Sequence, residues 1–225
     1  MGLATALRLS PRGWRLGLHC FASDEGKVSR ACAELRAAGA AELFVCRADL
    51  SQEDGPSHLF SQCAAQFHHV DALVNNAGIL LRKPLLETSS QDLTAVLTVN
   101  SGAPLLCMQQ AVGAGATRIV NVIDSGHNGA WRNHGAYLAS KAALASLTRV
   151  MARELAPDVQ VNGVSPGFIS EPEGMEGAHP NLVSRIPMKR QGTPDEVAQV
   201  ICQLLESPRY LTGQIIAVDG GLTAR

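Results

Sequence analysis

Three consecutive stretches decide the fold of this chain: RIVNVI at residues 118–123, YLASKAALASLTRVMAREL at 137–155 and VQVNGV at 159–164. The first and third are short stretches rich in β-branched residues, which predicts strands. The second is too long for a strand and predicts a long helix. A strand, a helix and a strand in this order predict a right-handed crossover between two parallel strands.

The same alternation extends outward to both ends of the chain. Further strands are predicted at 14–20, 42–46, 70–74 and 214–218. Further helices are predicted at 3–9, 24–38, 59–67, 90–112 (interrupted near Gly102 and Pro104) and 194–205. We therefore expect an α/β fold built on a doubly wound parallel sheet, with helices on both faces. A single domain is expected over residues 1–225, with the loose stretch 170–187 as a candidate substrate lid.

Composition excludes several classes of function. The 225 residues are 46% hydrophobic and 17% charged with a net charge of −1, so neither a disordered chain nor a nucleic-acid-binding protein is expected. No apolar run approaches the ~20 residues that span a membrane. The six cysteines and seven histidines lack the spacing of a metal site. We expect a cytoplasmic protein with reduced thiols that acts on a small molecule.

The clearest candidate for chemistry is the pair Tyr137 and Lys141. Residues four apart on a helix project from the same face. An ammonium group near a phenol favours the phenolate and is expected to lower the pKa of Tyr137. A tyrosine adjusted in this way can exchange a proton at neutral pH. The alternative is an ordinary Tyr and Lys on a helix surface.

Other polar or small residues follow the predicted strands. Asp124 comes directly after strand 118–123, and the run Asn-Asn-Ala-Gly at 75–78 follows strand 70–74. Asn100 lies in a helix, and Pro166 and Gly167 follow strand 159–164. In a doubly wound sheet the ligand lies beyond the carboxyl ends of the strands. The sequence therefore predicts a single site at this edge of the sheet.

With these residues, and with the endings at 210–214 and 218–221, the sequence resembles the short-chain dehydrogenase/reductase family from about residue 2 to residue 222. The resemblance implies a Rossmann-like fold, a nicotinamide dinucleotide cofactor and hydride transfer to or from carbonyls, alcohols and some C=N bonds. It implies that Tyr137 donates the proton, that Lys141 holds the nicotinamide ribose, and that Asn100 holds a water on a proton path.

The resemblance also implies a set of cofactor-binding residues: Gly2, His19, Ser23, Asp49, Asn75, Ala77, Gly78, Tyr137, Lys141, Pro166, Gly167 and Ile169. Small residues are expected where the backbone must approach the cofactor closely. Asp49 is expected to meet the adenine edge, or alternatively to form a helix N-cap before residues 51–54. Ile169 is expected against the carboxamide end of the nicotinamide.

Asp124 departs from the family pattern, which usually has serine there to hold the substrate oxygen. Its spacing to Tyr137, and the loops at 171–175 and 186–190, look similar to the pteridine reductase-like branch. An acid that relays a proton with tyrosine suits the C=N bond of a pterin. The alternative is a general carbonyl or 3-oxoacyl reductase in which Ser125 or Asp124 polarises the substrate. Trp131 is expected to wall the substrate or anchor its loop. His127 is expected to be solvated, or alternatively to line the substrate pocket.

Cofactor choice favours NADP over NAD. An NAD-preferring site usually ends the relevant strand with an acid for the ribose hydroxyls. Here the strand end has no acid until Asp24, and His19 and Ser23 match positions that meet the 2′-phosphate in pteridine reductases. The arginine expected beside them is replaced by Ala22. The alternative is that His19 is an ordinary strand residue.

The start of the chain departs most from the family. Gly2 matches only the last glycine of the phosphate-binding turn, and the usual first strand is missing. Loss of a middle strand is expected to leave its two neighbours unpaired. The resemblance implies a homo-oligomer, a dimer or a tetramer. The stretch from Asn100 to Ile119 is about one helical turn shorter than in the family, and the helix it shortens usually forms a dimer face. A third hypothesis is a catalytically impaired member that acts as a binding or oligomer partner.

Overall fold

The computed structural model describes residues 1–21, 23–169 and 180–224. Its α-helices are α1 Gly2–Leu9, α2 Glu25–Ala37, α3 Gly55–Phe67, α4 Ser90–Leu97, α5 Ala103–Gly113, α6 Gly135–Glu154, α7 Pro180–Val183 and α8 Pro194–Leu205. Its strands are β1 Arg15–Cys20, β2 Glu42–Arg47, β3 Ala72–Asn75, β4 Arg118–Val122, β5 Gln160–Pro166 and β6 Ile215–Val218. The predicted alternation of strands and helices is confirmed.

The strands are parallel throughout, as the crossover pattern predicts, but they form two sheets. One has the order β3-β4-β5-β6 and the other contains only β1 and β2. Among the described residues nothing pairs with the inner edges of β1 and β3. The doubly wound α/β fold is therefore confirmed, and so is the expectation that the missing strand leaves two neighbours unpaired.

The space between these two edges is a cavity of about 960 Å³. Side chains of β1 and β3 line it together with those of the helices above and below. Among its apolar lining residues are Leu16, Leu18, Phe60, Cys63, Val74 and Leu205. The cavity therefore lies inside the fold, between the two sheets.

Apolar packing on both faces holds the strands in place. On one face, Leu9 of α1 and Ile201 of α8 pack in one cluster with Val120 of β4. On the other face, Phe60 of α3 and Cys107 of α5 pack in a second cluster. β4 and β5 are buried on both faces, and β5 carries buried polar side chains at Gln160, Asn162 and Ser165 among its valines.

Several boundaries differ from the sequence-based expectation. Helix α3 begins at Gly55 rather than at residue 59, with proline in its first turn, where the missing N–H costs nothing. The expected interruption of helix 90–112 is a π-helical turn, Thr98–Gly102, between α4 and α5. Strand β5 continues through Pro166, so this residue is the last of the strand and not part of the turn after it.

Two further features of the structure concern membrane-spanning helices and metal-binding clusters. No helix in the described part of the chain is both long and apolar enough to cross a bilayer. Residues 1–21, 23–169 and 180–224 also contain no group of three or more His, Cys, Asp or Glu side chains arranged to hold a metal ion.

Candidate active site

The site is centred on a hydrogen bond between Tyr137 and Asp124. Asp124 follows β4 and caps a short 3₁₀ turn, where its Oδ1 accepts a hydrogen bond from the Gly126 amide at 2.7 Å. Its Oδ2 accepts a hydrogen bond from the Tyr137 hydroxyl at 3.0 Å. Tyr137 lies in the first turn of α6. Asp124 and Tyr137, thirteen residues apart in sequence, therefore meet where the loop after β4 approaches the start of α6.

Lys141 lies one turn further along α6 and is 5% exposed. Its Nζ donates a hydrogen bond to the carbonyl of Val122, the last residue of β4, at 2.9 Å. Burial lowers the pKa of Lys141 from 10.5 to about 8, and the negative charge of Asp124 only partly opposes this. The ammonium is thus held at the end of the strand, on the same side as the Tyr137–Asp124 pair.

The expected depression of the Tyr137 pKa is wrong. Burial raises the pKa of Tyr137, and the charge and hydrogen bond of Asp124 raise it further. Burial also raises the pKa of Asp124, although the bonds from Gly126 and Tyr137 oppose the change. A phenol in a poorly solvated place beside a carboxylate keeps its proton because the phenolate would be a second negative charge there. Tyr137 is therefore protonated across the neutral range.

Asn100 holds the loop that follows β3. It lies fully buried in the π-helical turn. Its Oδ1 accepts from the Ile79 amide at 2.8 Å, and its Nδ2 donates to the Ile79 carbonyl at 2.9 Å and to Ser140 Oγ at 3.0 Å. These bonds connect the loop after β3 to α6. The predicted role of holding a water stays a prediction, since the described partners of the side chain are protein atoms.

The residues predicted to line the cofactor after β3 all line the open cavity: Asn75, Ala77 and Gly78. The Nδ2 of Asn75 also donates to Asn121 Oδ1 at 2.8 Å. A β-carbon on Gly78 would lie 3.0 Å from Asn100 Oδ1 and 3.5 Å from Lys141 Nζ. Glycine there lets the backbone pass close to the catalytic candidates.

Residues after β5 are engaged with neighbouring elements. The Gly167 amide donates to the Val218 carbonyl at 3.0 Å, and a β-carbon on Gly167 would lie 2.6 Å from the Asp219 backbone. Ile169 forms a β-bridge with Gly192 and packs against the core cluster on that face. These residues therefore fix the carboxyl end of β5, where the fold places a ligand.

Two residues predicted to bind the adenine half of the cofactor, His19 and Asp49, contact other protein groups in this structure. His19 Nε2 lies 2.9 Å from the Ala48 carbonyl, so the ring contacts the end of β2. Asp49 Oδ1 accepts from the Ser51 amide at 2.9 Å and from Ser51 Oγ at 2.7 Å. The helix N-cap interpretation of Asp49 is wrong, because residues 51–54 form turns and the helix begins only at Gly55.

Sequence reasoning missed Lys27. It lies in the first turn of α2, exposed, and lines the same cavity as His19 and Ser23. Asp24, the nearest acid, is the N-cap of α2, and its Oδ1 accepts from the Lys27 amide at 3.1 Å. A lysine three residues after a helix N-cap was a usable signal. Ala22, where an arginine is typical, lies outside the described residues, as does the loop 171–175.

The loop after Asp124 brings further polar groups to the site. Ser125 is 4% exposed, and within residues 1–21, 23–169 and 180–224 its Oγ has no hydrogen-bond partner. The expectation of a solvated His127 is wrong: the ring is half-buried, and its Nδ1 lies 2.8 Å from the Asp124 carbonyl. Since a carbonyl accepts, Nδ1 carries the proton. Trp131 packs edge-to-face on His134, 6.3 Å between ring centroids.

The sequence of this chain is similar to a known protein family and to several of its members. The sequence profile described as Enoyl-(Acyl carrier protein) reductase matches residues 1–223. Carbonyl reductase family member 4 of Xenopus tropicalis is 36% identical over 232 residues, covering 99% of this chain and 93% of the relative. The 3-oxoacyl-[acyl-carrier-protein] reductase FabG of Staphylococcus epidermidis is 30% identical, covering 99% and 94%. The chain belongs to the short-chain dehydrogenase/reductase family.

Solved structures agree with this assignment. The acetoin dehydrogenase of Enterobacter cloacae has a TM-score of 0.89 at 33% identity, covering 99% of this chain and 91% of that protein. This short-chain dehydrogenase/reductase is thus an NAD(P)-dependent oxidoreductase. The comparisons support the carbonyl and 3-oxoacyl hypothesis more than the pterin hypothesis.

The described residues of this short-chain dehydrogenase/reductase fit the reactive end of a nicotinamide dinucleotide. Tyr137 and Lys141 lie together, and Gly78 leaves room for close approach. The part of the site that would bind the phosphates of the cofactor has fewer of the family's features. Helix α1 begins at Gly2 without a side-chain cap, so its first amides are available to an anion, but the glycine-rich turn before them is represented by Gly2 alone.

Proposed function

We propose that this protein uses NADPH to reduce the ketone of a small carbonyl or 3-oxoacyl substrate. The observation that carries the proposal is the protonated Tyr137 at the carboxyl end of β4, one helical turn from the buried Lys141. Relatives named as carbonyl reductase and 3-oxoacyl-[acyl-carrier-protein] reductase, each at least 30% identical, support the substrate class. A carbonyl needs one hydride at carbon and one proton at oxygen.

The chain's own residues supply the proton. The bound nicotinamide supplies the hydride. Tyr137 donates its phenolic proton to the substrate oxygen, and Ser125 Oγ, which has no described partner, donates a hydrogen bond to the same oxygen. The Lys141 ammonium offsets the negative charge left on Tyr137. The raised pKa of Tyr137 keeps the phenol protonated before the substrate binds, and the protonated form is the one that a reduction requires.

Preference for NADPH rests on the chemistry near the start of α2. His19, Ser23 and Lys27 line the cavity there, and a 2′-phosphate would find one ammonium and polar donors. The carboxylate of Asp24 is occupied in capping α2 and is not presented to the ribose hydroxyls. NADH lacks the group that Lys27 would bind.

A pterin is the second candidate substrate. The 3.0 Å hydrogen bond from Tyr137 to Asp124 favours it, because the pair can pass a proton to a ring C=N bond. Burial also raises the pKa of Asp124, so this carboxyl takes up a proton more readily than an exposed aspartate does. A hydroxyl at this position would offer no such relay.

The test compares acetoacetyl-CoA with dihydrobiopterin at matched NADPH, following the loss of NADPH absorbance. Faster turnover of the thioester supports the main proposal, and faster turnover of the pterin supports the second. Tyr137→Phe should abolish both activities while NADPH still binds. Tyr210→Phe is the matched control, since Tyr210 is fully exposed. Full activity of Tyr137→Phe would contradict both proposals, and failure of the chain to bind NADPH would favour the impaired binding-partner hypothesis.

Asp124→Ser separates the two substrate classes. It restores the hydroxyl typical of the family and removes the acid that a pterin would use. We expect the ratio of thioester to pterin turnover to rise. An unchanged ratio would show that Asp124 does not select the substrate.

We also propose that the protein assembles as a homo-oligomer. Leu93 of α4, Leu106 of α5 and Val150 of α6 are large apolar side chains that are 38–47% exposed. Such side chains gain free energy when another copy covers them. Light scattering of the purified chain would report a dimer or tetramer, and a monomer at micromolar concentration would contradict the proposal.

A further inference from the structure

Two cysteine side chains, Cys46 and Cys63, lie in contact between elements that carry none of the catalytic candidates. Cys46 belongs to β2, and Cys63 belongs to α3, the helix that packs on that strand. Their Sγ atoms are 3.1 Å apart and share a hydrogen bond. Both are free thiols in this structure. Neither belongs to the catalytic or cofactor-binding residues assigned above, so this thiol pair needs its own explanation.

The backbone around the thiol pair is held by further contacts between the same two elements. Gln62, which precedes Cys63, accepts a hydrogen bond from the Arg47 amide at 3.2 Å and donates one to the Arg47 carbonyl at 2.8 Å. One helical turn further along α3, Gln66 donates to Glu42 of β2 at 2.6 Å. These bonds fix α3 against β2, and the short distance between the two sulfur atoms follows from that fixed arrangement.

A disulfide at this place requires only a small movement. An S–S bond is about 2.05 Å long, so the two sulfur atoms would have to approach each other by about 1 Å. Cys46 and Cys63 are seventeen positions apart in the sequence and lie in different elements. The bond would therefore fasten the carboxyl end of β2 to α3 and close the segment that contains Asp49.

The two thiols differ in acidity. The hydrogen bond with Cys46 lowers the pKa of Cys63. The same hydrogen bond raises the pKa of Cys46, and burial raises it further. The thiolate is the nucleophilic form of cysteine, and Cys63 is also the more exposed of the two. Cys63 is therefore the sulfur that reacts first, with Cys46 in place to follow.

The remaining cysteines lack this arrangement. Within residues 1–21, 23–169 and 180–224, the thiol pair is the only hydrogen bond between two sulfur atoms. Burial raises the pKa of Cys107 to about 12, which keeps that thiol protonated and unreactive. An isolated buried thiol behaves as a small apolar side chain. Cys46 and Cys63 differ from that pattern because each is the polar partner of the other.

We propose that Cys46 and Cys63 form a redox-active pair, which a hydroperoxide oxidises to a disulfide that fastens β2 to α3. First, the Cys63 thiolate attacks one peroxide oxygen, so that an S–O bond forms, the O–O bond breaks and hydroxide or an alkoxide leaves. Next, the Cys46 sulfur attacks the Cys63 sulfur, the S–S bond forms and the S–O bond breaks. The hydroxyl leaves with the Cys46 proton as water. Two electrons pass from the sulfur atoms to the peroxide. A dithiol reductant reverses the change and becomes a disulfide itself.

The experiment treats the reduced 225-residue chain with a small molar excess of hydrogen peroxide and then blocks the remaining thiols with N-ethylmaleimide. Tryptic peptides are mapped by mass spectrometry without reduction. Trypsin cleaves after Arg47 and so separates Cys46 from Cys63. We expect the loss of two of the six thiols and one cross-linked pair of peptides, which joins Cys46 to Cys63. Dithiothreitol should restore all six thiols.

Three variants test the order of the two steps and the effect of the bond. Cys46→Ser should leave a sulfenic acid on Cys63 that dimedone traps, whereas Cys63→Ser should leave Cys46 unlabelled. Cys32→Ala is the matched control, since Cys32 is also buried, in α2, and this variant should form the disulfide like the parent. Oxidation should raise the melting temperature of the parent and of Cys32→Ala but not that of Cys63→Ser, because the disulfide restricts the unfolded chain.

The unchanged chain tests the proposal even where a variant does not fold. Six free thiols after peroxide treatment, a disulfide between Cys20 and Cys46, or a sulfinic acid on Cys63 in place of the disulfide would each overturn it. Oxidation in urea should scatter the disulfides among the cysteines. If urea gave the same single disulfide, the folded arrangement of β2 and α3 would not be what selects it. An unchanged melting temperature of the oxidised parent would overturn the fastening of β2 to α3.

Discussion

At the scale of single residues, the Tyr137 hydroxyl is controlled more by burial and by Asp124 than by Lys141. Lys141 Nζ bonds the Val122 carbonyl, whereas Asp124 Oδ2 bonds the phenol directly. Burial penalises the phenolate, and the neighbouring carboxylate adds like charge to that penalty. Tyr137 therefore keeps its proton until a substrate accepts it, and Lys141 can offset the phenolate charge only after the proton has left.

This ordering predicts the behaviour of Asp124→Asn. The change removes the negative charge and keeps the shape, so the pKa of Tyr137 should fall. The chain has two tyrosines, so a Tyr210→Phe background leaves Tyr137 as the single reporter of tyrosinate absorbance. The alkaline midpoint should be lower in Asp124→Asn than in the parent. Asp158→Asn, at an exposed position, is the control. Equal midpoints in all three proteins would show that Asp124 does not act on the phenol.

Lys141 predicts the alkaline limb of the activity profile. Its pKa of about 8 in the folded protein means that the ammonium is lost as pH rises through that value. The value of kcat/KM for ketone reduction should therefore decline above about pH 8. Lys141→Arg keeps its charge well above that pH, so its profile, although lower, should not show this decline. Identical profile shapes would contradict the assignment.

The same shift has a consequence for stability with a defined sign. Folding lowers the Lys141 pKa from 10.5 to about 8, so between these values the unfolded chain binds more protons than the folded one. The contribution of Lys141 to the free energy of unfolding therefore rises with pH across this window and is constant below it. Urea unfolding of the parent and of Lys141→Met at pH 7.5 and 10 would measure the difference.

Lys27 predicts cofactor preference. Lys27→Glu replaces the cation proposed for the 2′-phosphate by an anion, and should weaken NADPH binding by about tenfold or more while leaving NADH binding nearly unchanged. Fluorescence titration with both cofactors would measure it. The control is Lys189→Glu, since Lys189 is exposed and donates to the Ser184 carbonyl away from α2. If Lys27→Glu weakens NADPH and NADH binding equally, Lys27 does not distinguish the 2′-phosphate.

At the scale of elements, the loop after β3 is held by one side chain. Asn100 forms three hydrogen bonds from its π-helical turn, two of them to the backbone of Ile79. Asn100→Ala would leave these backbone groups unpaired and should lower the free energy of unfolding by about 2–4 kcal/mol. Urea unfolding would measure the change, with the exposed Asn128→Ala as a control expected within about 0.5 kcal/mol. If Asn100→Ala lowers the free energy of unfolding no more than Asn128→Ala does, the loop after β3 does not depend on Asn100 for its stability.

Elements with local signals were predictable from the sequence. Helix α8 was predicted with both ends correct, because Thr193 and Glu196 form a capping box and Pro194 occupies the first turn. The start of α3 was missed because its reason is tertiary. A β-carbon on Gly55 would lie 2.0 Å from the Asp49 carbonyl, so the helix can begin there only with glycine.

The candidate site was predictable in position but not in electrostatics. Strand order implies that residues following parallel strands meet at one edge, and Asp124 and Tyr137 do so. The direction of the Tyr137 pKa depends on how much water reaches the phenol, which only the folded chain determines. The same limit applies to His127, whose half-buried ring lies 3.4 Å from the hydroxyl of Ser165, a residue 38 positions away in the sequence.

At the scale of the whole molecule, the division into two sheets predicts unequal stability across the fold. β4 and β5 each have a partner on both sides and are covered by α5, α6 and α8. β1 and β2 form a two-stranded sheet, which is marginal alone and here relies on helix packing across the cavity. Local opening should therefore start at β1 and β2, because separating them from the rest breaks no strand pairing.

Hydrogen exchange followed by mass spectrometry tests this division. Amides of β1 should exchange at least a hundredfold faster than amides of β5, which corresponds to an opening free energy lower by about 3 kcal/mol. In the part of the chain that the structure describes, the two sheets have no strand pairing with each other, so nothing but helix packing couples their opening. Equal protection of β1 and β5 would mean that the two sheets open as one cooperative unit despite the cavity between them.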